Sequence, residues 1–154
     1  MATVKQFPIG LVIGKFMPPH HGHRLLITTA MHASKQVTLL VCHQDDDPIP
    51  SALRAEWLKK IYPEAEVKVL HVTFPVTDSQ GWVDATKALL NESPSAVFTS
   101  EDYGDQYADM LGSIHVQVDK ARRVVPISAS QIRVNPKQYR EFLDPMVWEY
   151  FSKQ

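Results

Sequence analysis

Two short stretches of this sequence carry residue types and spacings able to handle phosphate chemistry. The first is Gly14-Lys15-Phe16-Met17-Pro18-Pro19-His20-His21-Gly22-His23. His20 and His23 stand three residues apart, a spacing that in a first helical turn puts both rings on one side. A strand running through a short loop into a helix also aims backbone N–H groups at the strand end, which makes an anion site. Gly22 leaves the backbone open to close approach by a phosphate or nucleotide, and Lys15 adds a cation. Two imidazoles with helix N–H groups suit the stabilisation of charge growing on phosphate oxygens during transfer. Two other readings stand beside this one. One is a capped helix with solvent-facing histidines. The other is a zinc pair, for which no third and fourth ligand stand at suitable spacing, so no metal ligands are assigned.

The second stretch is Ile127-Ser128-Ala129-Ser130-Gln131-Ile132-Arg133. Two hydroxyls and an arginine at a short helix start bind phosphate through side chains and backbone N–H together; an N-capped helix with one exposed arginine has the same sequence. Asp45-Asp46-Asp47 reads better as a solvated turn than as a metal site.

Alternating strands and helices must position these residues. Ile9 to Phe16 reads as a buried strand, Gly22 to Ser34 as a helix, Val37 to His43 as a second strand. Ser51 is read as the N-cap of a helix carrying Leu53, Trp57, Leu58 and Ile61. Val67 to Thr73 is a third strand, followed by a helix from Asp78 to near Asn91. Ala96 to Ser100, a helix from Tyr103 to Leu111 stopped by Gly112, and a strand from Ile114 to Val118 follow. Short helical pieces come after Ile127, the last begun by Asp144-Pro145. The alternation predicts one α/β domain with a mostly parallel five-stranded sheet flanked by helices. Ligands in such sheets lie beyond the carboxyl ends of the strands, where both stretches fall.

The composition narrows the class. The 154 residues suffice for one domain. Sixteen basic residues against seventeen acidic ones give a net charge of −1, so no nucleic-acid-binding surface is expected. The lone cysteine, Cys42, excludes an intrachain disulfide and an all-cysteine zinc site, and a reducing cytoplasmic setting fits best. The N-terminal run MATVKQFPIGLVIGKF is too short and too interrupted, by Pro8, for a signal peptide. No stretch reaches the roughly twenty apolar residues of a membrane span.

The two stretches in combination, G-[KR]-F-x-P-x-H-x-G-H and I-S-x-[ST]-x-x-R about 110 residues further on, resemble the HxGH nucleotidylyltransferase superfamily. Within it the chain is most similar to nicotinamide mononucleotide (NMN) adenylyltransferases, particularly the adenylyltransferase domain of NadR-type proteins and archaeal-type relatives. Val97 to Gly104, Val118-Asp119 through Arg122, and Arg133-Val134-Asn135-Pro136 support the resemblance, which covers nearly the whole chain. Neither a helix-turn-helix before the matching stretch nor a kinase or Nudix domain after it is seen. The resemblance therefore implies a Rossmann-like fold and the adenylyltransferase reaction alone.

That reaction joins ATP and NMN to give NAD and pyrophosphate, by direct attack of the acceptor phosphate on the α-phosphorus. Cys42, inside an apolar strand, is expected to be inert packing rather than a nucleophile. By resemblance, His20 and His23 contact ATP phosphates, with His23 the stronger catalytic candidate. Lys15 and Arg133 neutralise the triphosphate, Ser128 and Ser130 hold its outer phosphates, and Gly14 and Phe16 line the cleft through their backbone. Mg²⁺ arrives bound to ATP and water, so no carboxylate cage is needed.

For the acceptor, Trp82 matches a nicotinamide-stacking tryptophan, and an aromatic face suits a cationic pyridinium; helix packing is its other reading. Arg54 matches an arginine near the acceptor phosphate or is a solvated helix charge. Asp78 orients the acceptor or caps its helix. Tyr103, with Glu101, sits at the fourth strand's end. Trp57 and Trp148 are read as core. Relatives assemble differently, and a homo-oligomer is compatible with the sequence. Two rivals remain at this level: an adenylyltransferase for phosphopantetheine, FMN or glycerol phosphate, and a nucleotide sensor without catalysis.

Overall fold

A computed structural model describes residues 5–154; the first four residues of the N-terminal run considered above lie outside them. Five strands form one sheet: β1 (Phe7–Gly14), β2 (Ser34–His43), β3 (Glu66–His71), β4 (Ala96–Thr99) and β5 (Ile114–Gln117). Their order is β3-β2-β1-β4-β5 and every pairing is parallel. The expected sheet is thus observed, with all of its strands parallel. The order reverses beside β1, so a crevice opens beyond Gly14 at the point where such sheets take ligands.

The alternation along β1 explains why its apolar run is continuous. Val12 faces one side with Leu39, Val41 and Phe98, under α1 (His21–Ala33) and α2 (Ser51–Ile61). Leu11 and Ile13 face the other with Leu40 and Val97, under α3 (Ser79–Leu89) and α4 (Gly104–Leu111). A strand covered on both faces has no polar side to display. A third apolar cluster joins Met17, Ile49 and Trp57 to Ile127, Ile132, Leu143 and Val147. It packs α5 (Ala129–Val134) and α6 (Pro145–Ser152) against α2 and the loops that follow β1 and β2. Trp57 is core as expected and meets Tyr150 edge-on at 5.5 Å. Trp148 packs at the margin of that cluster, with the Arg140 guanidinium 4.9 Å from its ring centre.

Strand ends lie within three residues of the sequence reading, and those at His43, Ala96 and Ile114 coincide with it. The largest shift is at β2, which starts at Ser34 because Phe7 pairs with it in register. Phe16, expected at the end of β1, lies beyond it with φ of 50°. Ser51 is not an N-cap: it is the first helical residue, and Pro50 before it makes no side-chain capping bond. Gly112 ends α4 with φ of 74°, the left-handed stop its sequence suggests. Asp144 caps α6 through the Met146 N–H, with Pro145 at the first helical position. Among the described residues, no helix is long and apolar enough to cross a membrane.

Candidate active site

The crevice beyond β1 holds two adjoining cavities of about 350 and 240 Å³. They share Ile13, Gly14, Lys15 and Tyr103 along their common edge. The larger gathers both sequence stretches: His20, Gly22 and His23 from the start of α1, and Ser128, Ser130 and Arg133 from α5. Arg133 reaches across to donate to the Met17 carbonyl at 2.6 Å, tying the second stretch onto the first.

The two imidazoles cap their own helix. His20 is the N-cap residue; its Nδ1 accepts from the Gly22 N–H at 3.0 Å. The Nδ1 of His23 accepts from the His20 N–H at 3.1 Å. A backbone N–H can only donate, so both Nδ1 atoms carry lone pairs and both neutral rings carry their proton on Nε2. The rings stack with centroids 3.9 Å apart, and Phe16 lies 4.8 Å from His23. Burial, then the Arg122 guanidinium and His21, hold His20 down to about 3. Burial, with His20 and Arg122 beside it, holds His23 well below its ordinary value. At neutral pH the pair therefore offers two neutral Nε2–H donors. Gly22 lines the cavity and also serves this arrangement. A Cβ there would lie 2.7 Å from His20 Cε1, so the absent side chain makes room for an imidazole.

Backbone strain collects at the same cavity. Three non-glycine residues among those described have positive φ: Phe16 at 50°, Asp119 at 48° and Arg122 at 53°. All three line the larger cavity. Asp119 holds its loop by accepting from the N–H groups of Arg123, Val124 and Val125. Arg122 donates to the Ile127 carbonyl at 2.9 Å and faces Glu101 at 3.5 Å. Arg122, Asp119 and Glu101 were not assigned binding roles from sequence, although Val118 through Arg122 carried part of the resemblance; their convergence depends on this loop.

Lys15 lies between the cavities, its ammonium bonded to Gln44 Oε1 at 2.7 Å and Asp47 Oδ1 at 2.8 Å. The aspartate run is therefore not a solvated turn throughout. Asp47 is buried because it accepts from Lys15, the Gln44 N–H and Arg54, and these contacts outweigh burial and hold its carboxyl below the usual range. Arg54 is neither a solvated charge nor a lining residue of either cavity. It is fully buried and donates to the carbonyls of Ile49, Lys15 and Cys42 as well as to Asp47. Every direction of its planar fork is taken, so it braces the strand ends.

In the smaller cavity, Trp82 stands with Tyr103, Gln106 and Tyr107 over Cys42. Its indole N–H donates to the Val76 carbonyl at 2.9 Å and its ring meets Phe74 edge-on at 5.5 Å. The indole is thus fixed on one edge while lining the cavity. Asp78 is the N-cap of α3, accepting from Gly81 N–H at 2.9 Å, and does not line this cavity. Burial pushes the Cys42 thiol up to about 12, so the thiolate is scarcely formed and packing is its role.

No protein-family model matches the chain. The trifunctional NAD biosynthesis/regulator protein NadR of Salmonella typhimurium is 29% identical over 175 positions, covering 97% of this chain and 42% of the relative. The NadR protein of Escherichia coli is 28% identical, covering 94% and 41%. The chain thus spans about two fifths of the length of these relatives. A bifunctional NMN adenylyltransferase/ADP ribose pyrophosphatase of Francisella tularensis superposes with a TM-score of 0.71 at 19% identity, over 96% of this chain and 49% of that one. A NadR protein crystallised with NR gives 0.68 at 22%, over 93% and 45%. These structures bear on the fold, and the sequence relatives bear on the lineage. By sequence the chain is thus similar to part of the NadR proteins, and by fold to structures of NadR and of an NMN adenylyltransferase.

Proposed function

We propose that the chain transfers the adenylyl group of ATP to the phosphate of NMN, giving NAD and pyrophosphate. The observation that carries this reading is the pair of adjoining cavities. One is lined by polar and cationic phosphate-binding groups, the other by aromatic rings, and Lys15 lies at their shared edge. A nucleoside triphosphate and an aromatic mononucleotide placed in them would bring their phosphates together beside Lys15.

In the step itself, an oxygen of the acceptor phosphate forms a bond to the α-phosphorus. The bond from that phosphorus to the bridging oxygen breaks, and the electron pair leaves with pyrophosphate. No protein nucleophile takes part, so the residues act by position and charge. The Nε2–H groups of His20 and His23 donate to oxygens on which charge grows. Lys15, Arg122 and Arg133 neutralise the departing triphosphate end, with Ser128 and Ser130 beside it. The structure of a relative was solved with a manganese ion and AMP, which supports a divalent cation for this family. The larger cavity's carboxylates fit a metal carried on the nucleotide. Asp119 is committed to three backbone N–H groups and Glu101 faces Arg122. Mg²⁺ riding on ATP would supply further charge neutralisation. Trp82 offers its face to the cationic pyridinium.

The test is pyrophosphate release from ATP and Mg²⁺ with NMN, alongside phosphopantetheine, FMN and glycerol phosphate. Release with NMN, with NAD accumulating, is the expected result. Release only with another acceptor would keep the phosphate cavity and discard the role of Trp82. Nucleotide binding without release for any acceptor would make the chain a sensor.

A further inference from the structure

The carboxyl ends of β2 and β3 bring together three side chains that the adenylyl-transfer reading does not use. His43 and His71 are register partners on adjacent parallel strands, so their side chains leave the sheet on the same face. Their ring centroids lie 5.2 Å apart with an interplanar angle of 31°. Asp45 reaches back from the following turn, with Oδ1 2.8 Å from His71 Nε2 and 3.9 Å from His43 Nε2. One ligand atom from each residue falls within 4.8 Å of the others.

We propose that His43, Asp45 and His71 form a binding site for a borderline divalent transition ion of the zinc class. Two imidazoles and one carboxylate are the donor set such ions take, with a fourth position left for water or another ligand. Magnesium and calcium, which prefer oxygen donors alone, are disfavoured. Bonds of about 2.1 Å in tetrahedral geometry need ligand atoms about 3.4 Å apart. Small side-chain rotations meet that requirement, because Asp45 is exposed and His71 half exposed.

The groups behind His43 set the condition for this, a change of ring tautomer. Its Nδ1 lies 3.4 Å from Arg54 Nη2 and 3.9 Å from Asp47 Oδ2. When Nε2 binds the ion, Nδ1 carries the proton, so the ring must turn from the Arg54 guanidinium, which can only donate, to the Asp47 carboxylate, an outer-shell partner common to ligating histidines. The consequence reaches the catalytic cleft. Asp45 stands in the turn whose Gln44 and Asp47 hold the Lys15 ammonium, so an ion clamping Asp45 to β3 pins that turn.

The test uses the full chain freed of metal with chelator. Zn²⁺ is titrated in competition with a chromophoric chelator, and Co²⁺ is added separately to record its visible absorption. One equivalent of tight Zn²⁺ binding and the intense Co²⁺ bands of a four-coordinate nitrogen–oxygen site are expected. Both should be lost in His71→Ala and in Asp45→Ala, and kept in Asp46→Ala, whose side chain lies in the same exposed turn outside the cluster. Circular dichroism checks that each variant folds; if His71→Ala does not, Asp45→Ala decides. Absence of stoichiometric binding in the parent chain overturns the proposal and leaves a His71–Asp45 ion pair. Binding that survives Asp45→Ala or a folded His71→Ala overturns it too, and points to the His20–His23 pair.

Discussion

Arg54 Nη2 lies 3.0 Å from Asp47 Oδ2, and both side chains are shut away from solvent at the carboxyl ends of β1 and β2. The same carboxylate accepts from Lys15 through its other oxygen, so one buried ion pair sets where the cleft's cation stands. Replacing Arg54 by Met removes one donor from a buried carboxylate, which keeps Lys15 and the Gln44 N–H, and the side-chain donor from three carbonyls. It should cost about 3–5 kcal/mol, read from the urea midpoint. A change confined to the Michaelis constant for the acceptor, at unchanged stability, would restore Arg54 as a direct phosphate contact.

The histidines cap α1 as well as facing the cavity, and two variants separate these roles. His20→Asn keeps a side-chain acceptor for the Gly22 N–H, so stability should change by less than about 1 kcal/mol. His23→Ala loses one capping bond and leaves the fold intact. Turnover should fall about a hundredfold or more in His23→Ala and clearly in His20→Asn. Normal turnover in a folded His20→Asn would reduce that residue to a cap.

Trp82→Ala should raise the Michaelis constant for NMN more than that for ATP. Trp82→Phe keeps an aromatic face beside Phe74 while losing the bond to the Val76 carbonyl, so its effect should be the smaller. Equal effects of Trp82→Ala on both substrates would make the indole a packing residue.

Stability should fall as the solution is acidified. His20 ionises near its ordinary value of 6.5 when unfolded but only at about 3 when folded. Between those limits the unfolded chain binds more protons than the native one, so stability rises with pH there and is lost as pH falls. From pH 6.5 to pH 5 this residue alone accounts for about 2 kcal/mol. Urea midpoints measured across that range should slope less in His20→Asn; an unchanged slope would assign the loss to other groups.

Much of this architecture was legible in the residue pattern, and the exceptions have specific causes. The Gly112 stop and the Asp144-Pro145 start follow from local chemistry, so they appear where the sequence puts them, and the β1 run does so to within two residues. Ser51 misled because a serine at a helix start is equally at home as its first residue. Arg54 and Asp47 misled because charged residues in a turn and on a helix read as solvated until one sees that they neutralise each other. Asp119 and Arg122 went unassigned because a left-handed loop conformation at non-glycine residues leaves no trace in local propensity.

By itself the sequence determined the alternation of strands and helices and the two short stretches, of histidines and of serines with an arginine, proposed to handle phosphate, because both depend on spacings within a few residues. The tertiary structure alone decided that Arg54 braces the cleft instead of lining it. It also brought His71 beside His43 and joined a polar cavity to an aromatic one across Lys15. Those relationships depend on which strands become neighbours and in what register, and that is set by packing across the whole sheet rather than by any one segment.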